Sequence, residues 1–373
     1  MKKLISFQTG ILYILPMLFV KAMGCTSADL LYKVMFVLSF GAALIAFAFH
    51  KESIGEKISR VLLFALFGIT IWTSGNYTFL LLGALVLSLD TNVEDKVILQ
   101  LLSTTWWIGV GMALLLLALG IRKDNIAMFG RSILNIVETK HTFGYSHANL
   151  FAATVCIGLL LIGTLIDHLD WKMTILFILL EGVTFWFTRG FTSLFVFGLF
   201  LLLKLITQNK FMISNRLSIA KWLGRACAFP PLTVFICLFG YQPRLGIWRE
   251  LNIVLSGRIF LMTQSRIIYQ LKPFGQRMLD GTAMQDMAYP HILYTFGWLI
   301  AFLLIAMYSI AVRRWVSSGR LDLIIMCLCF LVYGMAEQFF RNCFMNVSLI
   351  VVALETLRGI SEVAEKWQRR KME

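Results

Sequence analysis

The sequence predicts an all-α protein that crosses a membrane about twelve times, since each crossing needs about 20 apolar residues. Composition is the first reason: 59% of the 373 residues are apolar and 14% are charged, against roughly 25% charged in an average soluble domain. A soluble fold of this size buries only about 75% of its chain surface, which is too little to hide so much hydrocarbon. The second reason is a series of long apolar runs, and the third is a net charge of +14, which suits anionic lipid.

The predicted spans follow one another along the whole chain, and several are so short that their ends must extend into neighbouring residues. They are Leu4–Val20, Leu30–Phe49, Val61–Ser74, Tyr77–Leu89, Val97–Ile121, Asn149–Ile166, Met173–Thr188, Phe191–Ile206, Ala228–Gly240, Ile292–Val312, Leu321–Phe340 and Cys343–Leu357. No internal repeat and no soluble domain interrupts them, so residues 1–373 are predicted to form one integral membrane domain.

The predicted topology depends on Gly75-Asn76, which we expect to break residues 61–89 into two helices. Lys and Arg accumulate on the cytoplasmic side of membrane proteins. With the break, both termini and the basic segments 51–60, 208–225 and 313–320 face the cytoplasm. The protein is therefore predicted to lie in the cytoplasmic membrane with both termini inside. Two longer loops, 122–148 and 241–291, are predicted to lie outside.

Both outer loops are richer in Lys and Arg than outer loops usually are. The basic residues of the second loop are Arg244, Arg249, Arg258, Arg266, Lys272 and Arg277. A positive surface beside a bilayer indicates membrane lipids and a phosphate-bearing ligand as partners, and not nucleic acid.

Motifs of soluble enzymes are absent from the sequence, which has no Walker-type loop, no His-Glu-x-x-His pair and no Gly-x-Ser-x-Gly elbow. Gly109 and Gly111 lie within an apolar span, where glycine pairs usually serve helix packing. Cys327 and Cys329 are two residues apart and would point to different helix faces, so a shared metal is not expected. The sequence predicts neither a metal nor another cofactor.

The polar residues that could carry chemistry lie at the outer ends of spans. They are His147 and Asn149; Arg189; Ser256, Arg258 and Arg266; Asp286, Tyr289 and His291; and Glu337 with Arg341. Each group also has a structural explanation, as a helix cap, an arginine snorkelling to headgroups, a solvated loop or a self-neutralised ion pair. Glu181 lies in mid-span, where an ionisable residue is either functional or held protonated or paired.

In two of these groups, the spacing along a helix predicts how the side chains lie relative to each other. If the segment after Gly257 is helical, Arg258 and Arg266 lie only about 80° apart around its axis and could face one anion. Arginine suits that role because its planar fork forms paired, charge-assisted bonds to phosphate oxygens. Glu337 and Arg341 are four residues apart and can neutralise each other on one helix face. The alternatives for this pair are a polar clamp between helices and a role in binding substrate.

Taken in order, these motifs resemble a known family. His147-Ala148-Asn149 begins a span, Arg189 lies between two spans, and the large loop contains Ser256-Gly257-Arg258, Phe274-Gly275 and Asp286-x-x-Tyr289. The set resembles the Wzy-type polysaccharide polymerases of capsule, exopolysaccharide and O-antigen synthesis, relatives of the O-antigen ligases. The resemblance covers residues 143–346. The sequence departs from the family at Ala148, where relatives often have Pro, and at Met287, where they often have Asn.

The resemblance implies a GT-C-like fold and a metal-independent, inverting glycosyltransferase. Such an enzyme moves a growing glycan from undecaprenyl diphosphate to a new lipid-linked repeat unit on the outer face of the cytoplasmic membrane. Arg189, Arg258 and Arg266 would receive the diphosphate, with Arg258 the leading candidate. Asp286 would be the base, with His291 and His147 as alternatives. Tyr289, His147, Asn149, His291 and Glu337 would bind substrate, and a flippase and a chain-length regulator would be pathway partners.

Two other functions fit the same sequence. One is a ligase of the same superfamily that passes the glycan to a different acceptor. The other, from a different class, is a flippase or secondary transporter for lipid-linked oligosaccharide. Transporters keep their polar sites near the midplane, often within repeated halves, whereas here the unusual charge lies in the outer loops.

Overall fold

A computed structural model describes residues 2–131, 136–242, 244–255, 257–278 and 287–372. The first half contains α1 Lys2–Ala22, α2 Leu30–Phe49, α3 Ile54–Ser74, α4 Thr78–Ser88, α5 Asp95–Ala118, β1 Ile126–Arg131, β2 Ile136–His141, α6 Ala148–Leu165 and α7 Trp171–Thr188. The second half contains α8 Phe191–Thr207, α9 Lys210–Ser214, α10 Arg216–Ala226, α11 Phe229–Gly240, α12 Gly246–Val254, α13 Arg258–Ile268, α14 Ala288–His291, α15 Trp298–Ser318, α16 Leu321–Gly334 and α17 Ser348–Met372. A π-helical turn, Ile292–Phe296, precedes α15, and a 3-10 turn, Gln338–Arg341, follows α16.

The helices form the multi-pass membrane protein that the composition predicts. Among the described residues, six helical segments are long and apolar enough to cross a membrane: Leu30–Phe49, Asp95–Ala118, Ala148–Leu165, Trp171–Thr188, Arg216–Gly240 and Trp298–Ser318. Shorter apolar helices lie between them. Most of α6 is buried inside the bundle, whereas α2 and α7 carry large exposed apolar side chains such as Val37 and Trp186. Exposed hydrocarbon on this scale indicates lipid contact.

The break at Gly75-Asn76 is confirmed. Helix α3 ends at Ser74, and Gly75 adopts a left-handed conformation with φ of 70°, which glycine reaches without a Cβ penalty. The Asn76 side chain then accepts hydrogen bonds from the Thr78 amide at 2.9 Å and the Thr78 hydroxyl at 2.7 Å, at the first residue of α4. Helices α3 and α4 therefore fold back on each other as an antiparallel pair.

The bundle has two ends. The hairpin end carries β1 and β2, the turns at Gly24, Gly75 and Arg189, and the 3-10 turn after α16. The opposite end carries the turns near His50, Asp90, Asp167 and Gly319. An ion-pair network ties the opposite end together: Arg320 contacts Asp95 at 2.8 Å, and Arg358 contacts the same carboxylate at 2.6 Å. This network joins α5, α16 and α17.

Residues 122–148 form more than the simple loop that the sequence suggests, because β1 and β2 pair as an antiparallel hairpin. Its base is fixed by Asp124, whose carboxylate accepts the amides of Thr142 and Phe143 at 2.9 and 2.8 Å and contacts His141 Nδ1 at 2.6 Å. Burial alone would raise the pKa of Asp124, but these hydrogen bonds hold it below its usual value. Arg122 connects the base to the α1–α2 turn through Met23 O.

Residues 241–278 contain α12 and α13, followed by an extended segment that crosses the start of α15. Gln276 donates its amide hydrogen to Thr295 O at 3.2 Å, and Leu299 donates to Pro273 O at 3.1 Å. The backbones meet so closely that a Cβ on Gly275 would overlap Thr295 O, and a Cβ on Gly297 would overlap Pro273 O. The extended segment thus supplies hydrogen-bond partners where the π-helical turn and Gly297 interrupt the helix.

Several boundaries differ from the sequence prediction: α15 begins at Trp298 instead of Ile292, and α17 extends from Ser348 to Met372 instead of from Cys343 to Leu357. Two further differences affect the surroundings of the cavities. Residues 208–225, expected as a basic loop, are largely helical, because α10 begins at Arg216 and packs along α15 and α16. The predicted span Leu321–Phe340 is shorter than expected, because α16 ends at Gly334 and the Phe340 ring packs on that glycine. A Cβ there would lie 2.8 Å from the ring, so glycine permits the chain to turn at this point.

Candidate functional site

A polar cavity of about 400 Å³ opens at the hairpin end. The turn after α1, the turn before α4 and the 3-10 turn after α16 form its walls. Its polar lining residues are Lys21, Thr26, Ser27, Tyr32, Asn76, Tyr77, Thr78, Gln338, Arg341 and Asn342. Both ionised side chains on this lining are basic, and no Asp or Glu belongs to it within the described part of the chain. We call it the Lys21–Arg341 cavity.

Arg341 ends the 3-10 turn, and its guanidinium donates through Nη1 to His291 Nε2. Burial lowers the pKa of Arg341 to about 10, so the side chain stays charged at neutral pH. No carboxylate among the described residues forms an ion pair with it. Because an unneutralised buried charge is costly, this arginine is a strong candidate for contact with an anionic ligand.

Lys21 lies in the last turn of α1. Its ammonium is 4.5 Å from the centre of the Tyr32 ring and donates to Cys25 O at 3.3 Å. A cation held over an aromatic face keeps its charge available to a further partner. Arg277 approaches the same cavity from the large loop, since a Cβ on Gly75 would lie 3.2 Å from its Nε. Three cations from distant parts of the sequence therefore meet around this cavity.

Arg258 lies close to the 3-10 turn as well. It is the first residue of α13, directly after Gly257 with φ of 80°, and its Nη2 is 3.6 Å from Glu337 Oε1. Glu337 immediately precedes Gln338, which lines the cavity. The structure thus brings two of the predicted residues, Arg258 and Glu337, together beside the Lys21–Arg341 cavity.

The pairing of Glu337 with Arg341 that the spacing allows is not formed. The residues lie on a 3-10 turn, which has about three residues per turn, so positions four apart do not share a face. Glu337 contacts Arg258, and Arg341 contacts His291. The premature end of α16 at Gly334 is the cause.

The segment after Gly257 is helical, as the spacing of Arg258 and Arg266 required, but Arg266 is engaged elsewhere. The Arg266 guanidinium donates to Phe239 O at 2.9 Å and to Leu238 O at 3.4 Å. These carbonyls belong to the last turn of α11, which has no helical partners for them. Arg266 therefore stabilises the end of α11.

Arg189 caps α7 in a left-handed conformation with φ of 53°. Its guanidinium lies 4.8 Å from the centre of the Trp186 ring and 5.9 Å from that of Phe185. Trp186 is 66% exposed on the perimeter of the bundle. The side chain is held by cation–π contacts at the end of a span, as the snorkelling alternative expects.

Two more predicted residues belong to the first turn of α6. His147 is the N-cap, and its Nδ1 accepts a hydrogen bond from the Asn149 amide at 3.4 Å. Its side chain is exposed, and Asn149 is half-buried. Between the hairpin and this cap, Tyr145 donates to Ala22 O at 2.5 Å and joins α6 to the end of α1.

Tyr289 is buried and His291 is half-buried, both close to the end of α16. The Tyr289 hydroxyl donates to Leu331 O at 2.6 Å, satisfying a carbonyl in the last turn of α16. His291 accepts from Arg341 at Nε2, and its Nδ1 has no partner among the described residues. The Tyr289 hydroxyl is therefore used in packing against α16, whereas His291 orients Arg341. Asp286 and Ser256 lie outside the described residues.

Glu181 is buried in the middle of α7, and neither carboxyl oxygen has a hydrogen-bond partner within the part of the chain that the structure describes. The paired form expected as one alternative is thus not seen. The cost of burying an isolated carboxylate favours the protonated form in this position.

Sequence reasoning missed the cavity residues of the first half: Lys21, Tyr32, Asn76 and Tyr77. Two features of the sequence point to these residues. Lys21 is a charge in the last turn of an apolar first helix, and Gly75-Asn76 marks a helix break that also places an amide side chain at the end of a span. Convergence of these positions with Arg341 depends on packing between α1, α2 and α4, which a single sequence does not specify.

Comparison with known proteins adds no identification. No family model matches the chain, no curated protein is significantly similar in sequence, and no solved structure has a significantly similar fold. The arrangement therefore has to be interpreted chemically: two half-buried cations, amide side chains and tyrosines line a cavity suited to a polar anion with hydroxyl groups.

Proposed function

We propose that the protein is a polysaccharide polymerase that transfers a growing glycan from undecaprenyl diphosphate to a lipid-linked repeat unit. The proposal includes about twelve spans, each with roughly 20 residues, in a GT-C-like arrangement. It also includes cytoplasmic termini and a hairpin end on the outer face of the cytoplasmic membrane. A flippase and a chain-length regulator would act with it, and it would need no metal or other cofactor.

The observation that carries the proposal is the Lys21–Arg341 cavity. A diphosphate is a good leaving group, so the reaction needs positive charge at the departing oxygen more than it needs a strong general acid. Lys21 and Arg341 supply that charge from within the cavity, and Arg277 supplies it at the rim. Arg258 would act from the adjacent pair with Glu337.

The same lining can also recognise sugar. Asn76, Gln338 and Asn342 offer amide donors and acceptors for hydroxyl groups, and Tyr32 and Tyr77 offer ring faces for sugar carbons. In the transfer, the acceptor hydroxyl oxygen bonds to the anomeric carbon as the bond from that carbon to the diphosphate breaks. The proton of the hydroxyl passes to a base, for which Asp286 is the candidate from the family resemblance.

His291 and His147 are weaker candidates for that base. His291 Nε2 already accepts from Arg341, so a second proton there would oppose a buried guanidinium. His147 is exposed, and its Nδ1 accepts the Asn149 amide in the cap of α6, so the ring is already used to begin a helix.

Complementation of a deletion strain tests the proposal. Arg341→Met and Lys21→Met should each abolish polymer while single repeats accumulate on the outer face of the membrane. Lys123→Met, at an exposed position of the same end, should restore full polymer. Membrane levels of each variant, measured by blotting, control for folding.

The location of the accumulated repeat separates the alternatives. A flippase defect would leave single repeats on the cytoplasmic face. A ligase defect would leave long chains on the lipid carrier. Long free chains from Arg341→Met would contradict the proposed role of the cavity.

A further inference from the structure

A second and larger cavity lies at the opposite end of the bundle, with a volume of about 520 Å³. It is formed where α6 and α8 end and where α10 and α16 begin. Small-molecule sites usually have volumes of about 300–1,000 Å³, so this cavity can hold a ligand of moderate size. We call it the Lys204 cavity.

Its charged lining is predominantly basic. Lys96, Lys204, Arg216 and Arg320 line it, against Asp167 and Asp322. Arg320 is neutralised by Asp322 at 2.9 Å and by Asp95 at 2.8 Å. Arg216 donates Nε to Gly319 O at 2.5 Å, which leaves its terminal nitrogens for another acceptor. Lys204 and Lys96 add further positive charge.

The central observation concerns two side chains on one face of α8. Lys204 is only 5% exposed, and none of the described residues forms a hydrogen bond or ion pair with its ammonium. Gln208, one turn later, has a buried Nε2 without a hydrogen-bond partner in the described chain. Both side chains line the cavity. Donors that are buried and left without an acceptor are costly, and an acceptor placed in the cavity would remove the cost of both.

Membrane proteins commonly keep basic residues at one surface for topology alone, but that explanation does not fit Lys204. A topogenic lysine extends to the headgroups, as the exposed Lys221 on α10 is free to do. Lys204 is instead enclosed by the ends of several helices. Leu99, Ile213 and Ile325 supply apolar wall, and Thr164, His168 and Thr207 add further polar groups.

We propose that the Lys204 cavity binds the phosphate group of a phosphorylated ligand, held by Lys204, Gln208 and Arg216. The Lys204 ammonium, the NH2 group of Gln208 and the Arg216 guanidinium are all donors, and together they favour an anion with several acceptor atoms. Such a phosphate occurs on a lipid headgroup and on soluble phosphorylated compounds. The site lies at the other end of the bundle from the Lys21–Arg341 cavity and does not depend on the proposed polymerase activity.

Thermal unfolding of the full-length protein in neutral detergent tests the proposal. Six of its seven cysteines are buried, so a thiol-reactive dye reports unfolding. The probes are dihexanoyl phosphatidic acid, inorganic pyrophosphate and, as a neutral control, dihexanoyl phosphatidylcholine. We expect a phosphate probe to raise the Tm of the wild type. The half-saturating concentration should rise about tenfold or more in Lys204→Met and in Gln208→Met, since each loses a hydrogen bond to a charged group.

Two controls locate the effect. Lys221→Met should bind like the wild type. Because pyrophosphate can also enter the Lys21–Arg341 cavity, Lys204→Met and Gln208→Met are tested in an Arg341→Met background as well, in which the stabilisation that depends on Lys204 and Gln208 should remain. Stabilisation by the phosphatidic acid alone supports a lipid headgroup, and stabilisation by pyrophosphate supports a soluble ligand. The proposal fails if neither probe stabilises the wild type, if both α8 variants bind normally, or if binding is lost with Arg341 instead of Lys204.

Discussion

Buried charges in this protein fall into two groups. Arg60 is 1% exposed and satisfied, because it contacts both Glu52 and Val86 O. Arg341 and Lys204 each face a cavity, and neither forms a direct ion pair with a carboxylate among the described residues, although Asp167 and Asp322 line the cavity of Lys204. The first kind of residue fixes α3 against α4, whereas the second kind is better explained by a ligand.

This distinction predicts opposite effects on stability. Arg60→Met leaves the largely buried Glu52 without its cation and should destabilise the protein by about 3–5 kcal/mol. Arg341→Met removes a charge that no carboxylate compensates, so Tm should stay constant or rise. Thermal unfolding in detergent without added ligand measures both. A large loss of stability in Arg341→Met would assign this arginine to the structural group.

His50 provides a pH-dependent contribution to stability. Burial, together with nearby Arg60, lowers the pKa of His50 to about 4, and its Nε2 lies 3.0 Å from Leu87 O. The folded state favours the neutral ring, so stability is complete above pH 6.5 and decreases as the pH falls from 6.5 towards 4. At pH 5 the loss should be about 2 kcal/mol.

The matched variant is His50→Gln, whose side chain keeps a donor for Leu87 O without a titrating ring. The decrease in Tm between pH 7.5 and pH 5 should be smaller in this variant than in the wild type. Equal decreases in the two proteins would assign the acid sensitivity to other groups.

Single residues were the least predictable level of the structure. Arg258 and Glu337 were both predicted as site residues, but their contact with each other follows from the early end of α16, which periodicity did not reveal. Arg266 lies on a helix as predicted, but its guanidinium donates to backbone carbonyls at the end of α11. Side-chain partners depend on tertiary contacts that helix geometry alone does not determine.

Helices were predicted far better than the segments between them. Apolar runs located the transmembrane helices because hydrocarbon length is a simple constraint, and Gly75-Asn76 correctly divided α3 from α4. Gly109 also packs as expected, since a Cβ there would lie 2.7 Å from Ala22 Cβ. The β1–β2 hairpin was missed, since a two-stranded hairpin in an outer loop produces no strong periodic signal.

The crossing of the extended segment with the start of α15 depends on a pair of glycines. Gly275 has φ of 73° and Gly297 has φ of 97°, and each faces the backbone of the other segment. Gly275→Ala and Gly297→Ala should each destabilise the protein by more than about 1 kcal/mol, because strained φ adds to backbone overlap. Gly111→Ala is the control, since an added Cβ there meets nothing within 4 Å.

Tm and expression level measure this prediction. Gly111→Ala should match or exceed the wild type, because alanine favours a helix by about 0.5–1 kcal/mol over glycine. If Gly275→Ala is as stable as Gly111→Ala, the backbone at Gly275 does not pack closely against Thr295 O.

The whole molecule has different chemistry at its two ends. The hairpin end holds the Lys21–Arg341 cavity and the Arg258–Glu337 pair, and the opposite end holds the Asp95–Arg320–Arg358 network and the Lys204 cavity. Each end gathers residues from both halves of the sequence. The substrate proposed for the Lys21–Arg341 cavity and the phosphate proposed for the Lys204 cavity would therefore be separated by the thickness of the membrane.

Orientation connects these ends to the proposed function, and it can be tested directly. If the hairpin end is outside, Met128→Cys on β1, a position 75% exposed, should react with a membrane-impermeant maleimide in intact cells. Lys51→Cys, at an exposed position of the opposite end, should react only after the membrane is permeabilised. The native cysteines give a low background because six of the seven are buried. The opposite result, with Lys51→Cys labelled in intact cells and Met128→Cys protected, would place the Lys21–Arg341 cavity on the cytoplasmic side. A polymerase that acts on the outer face could not use a cavity there.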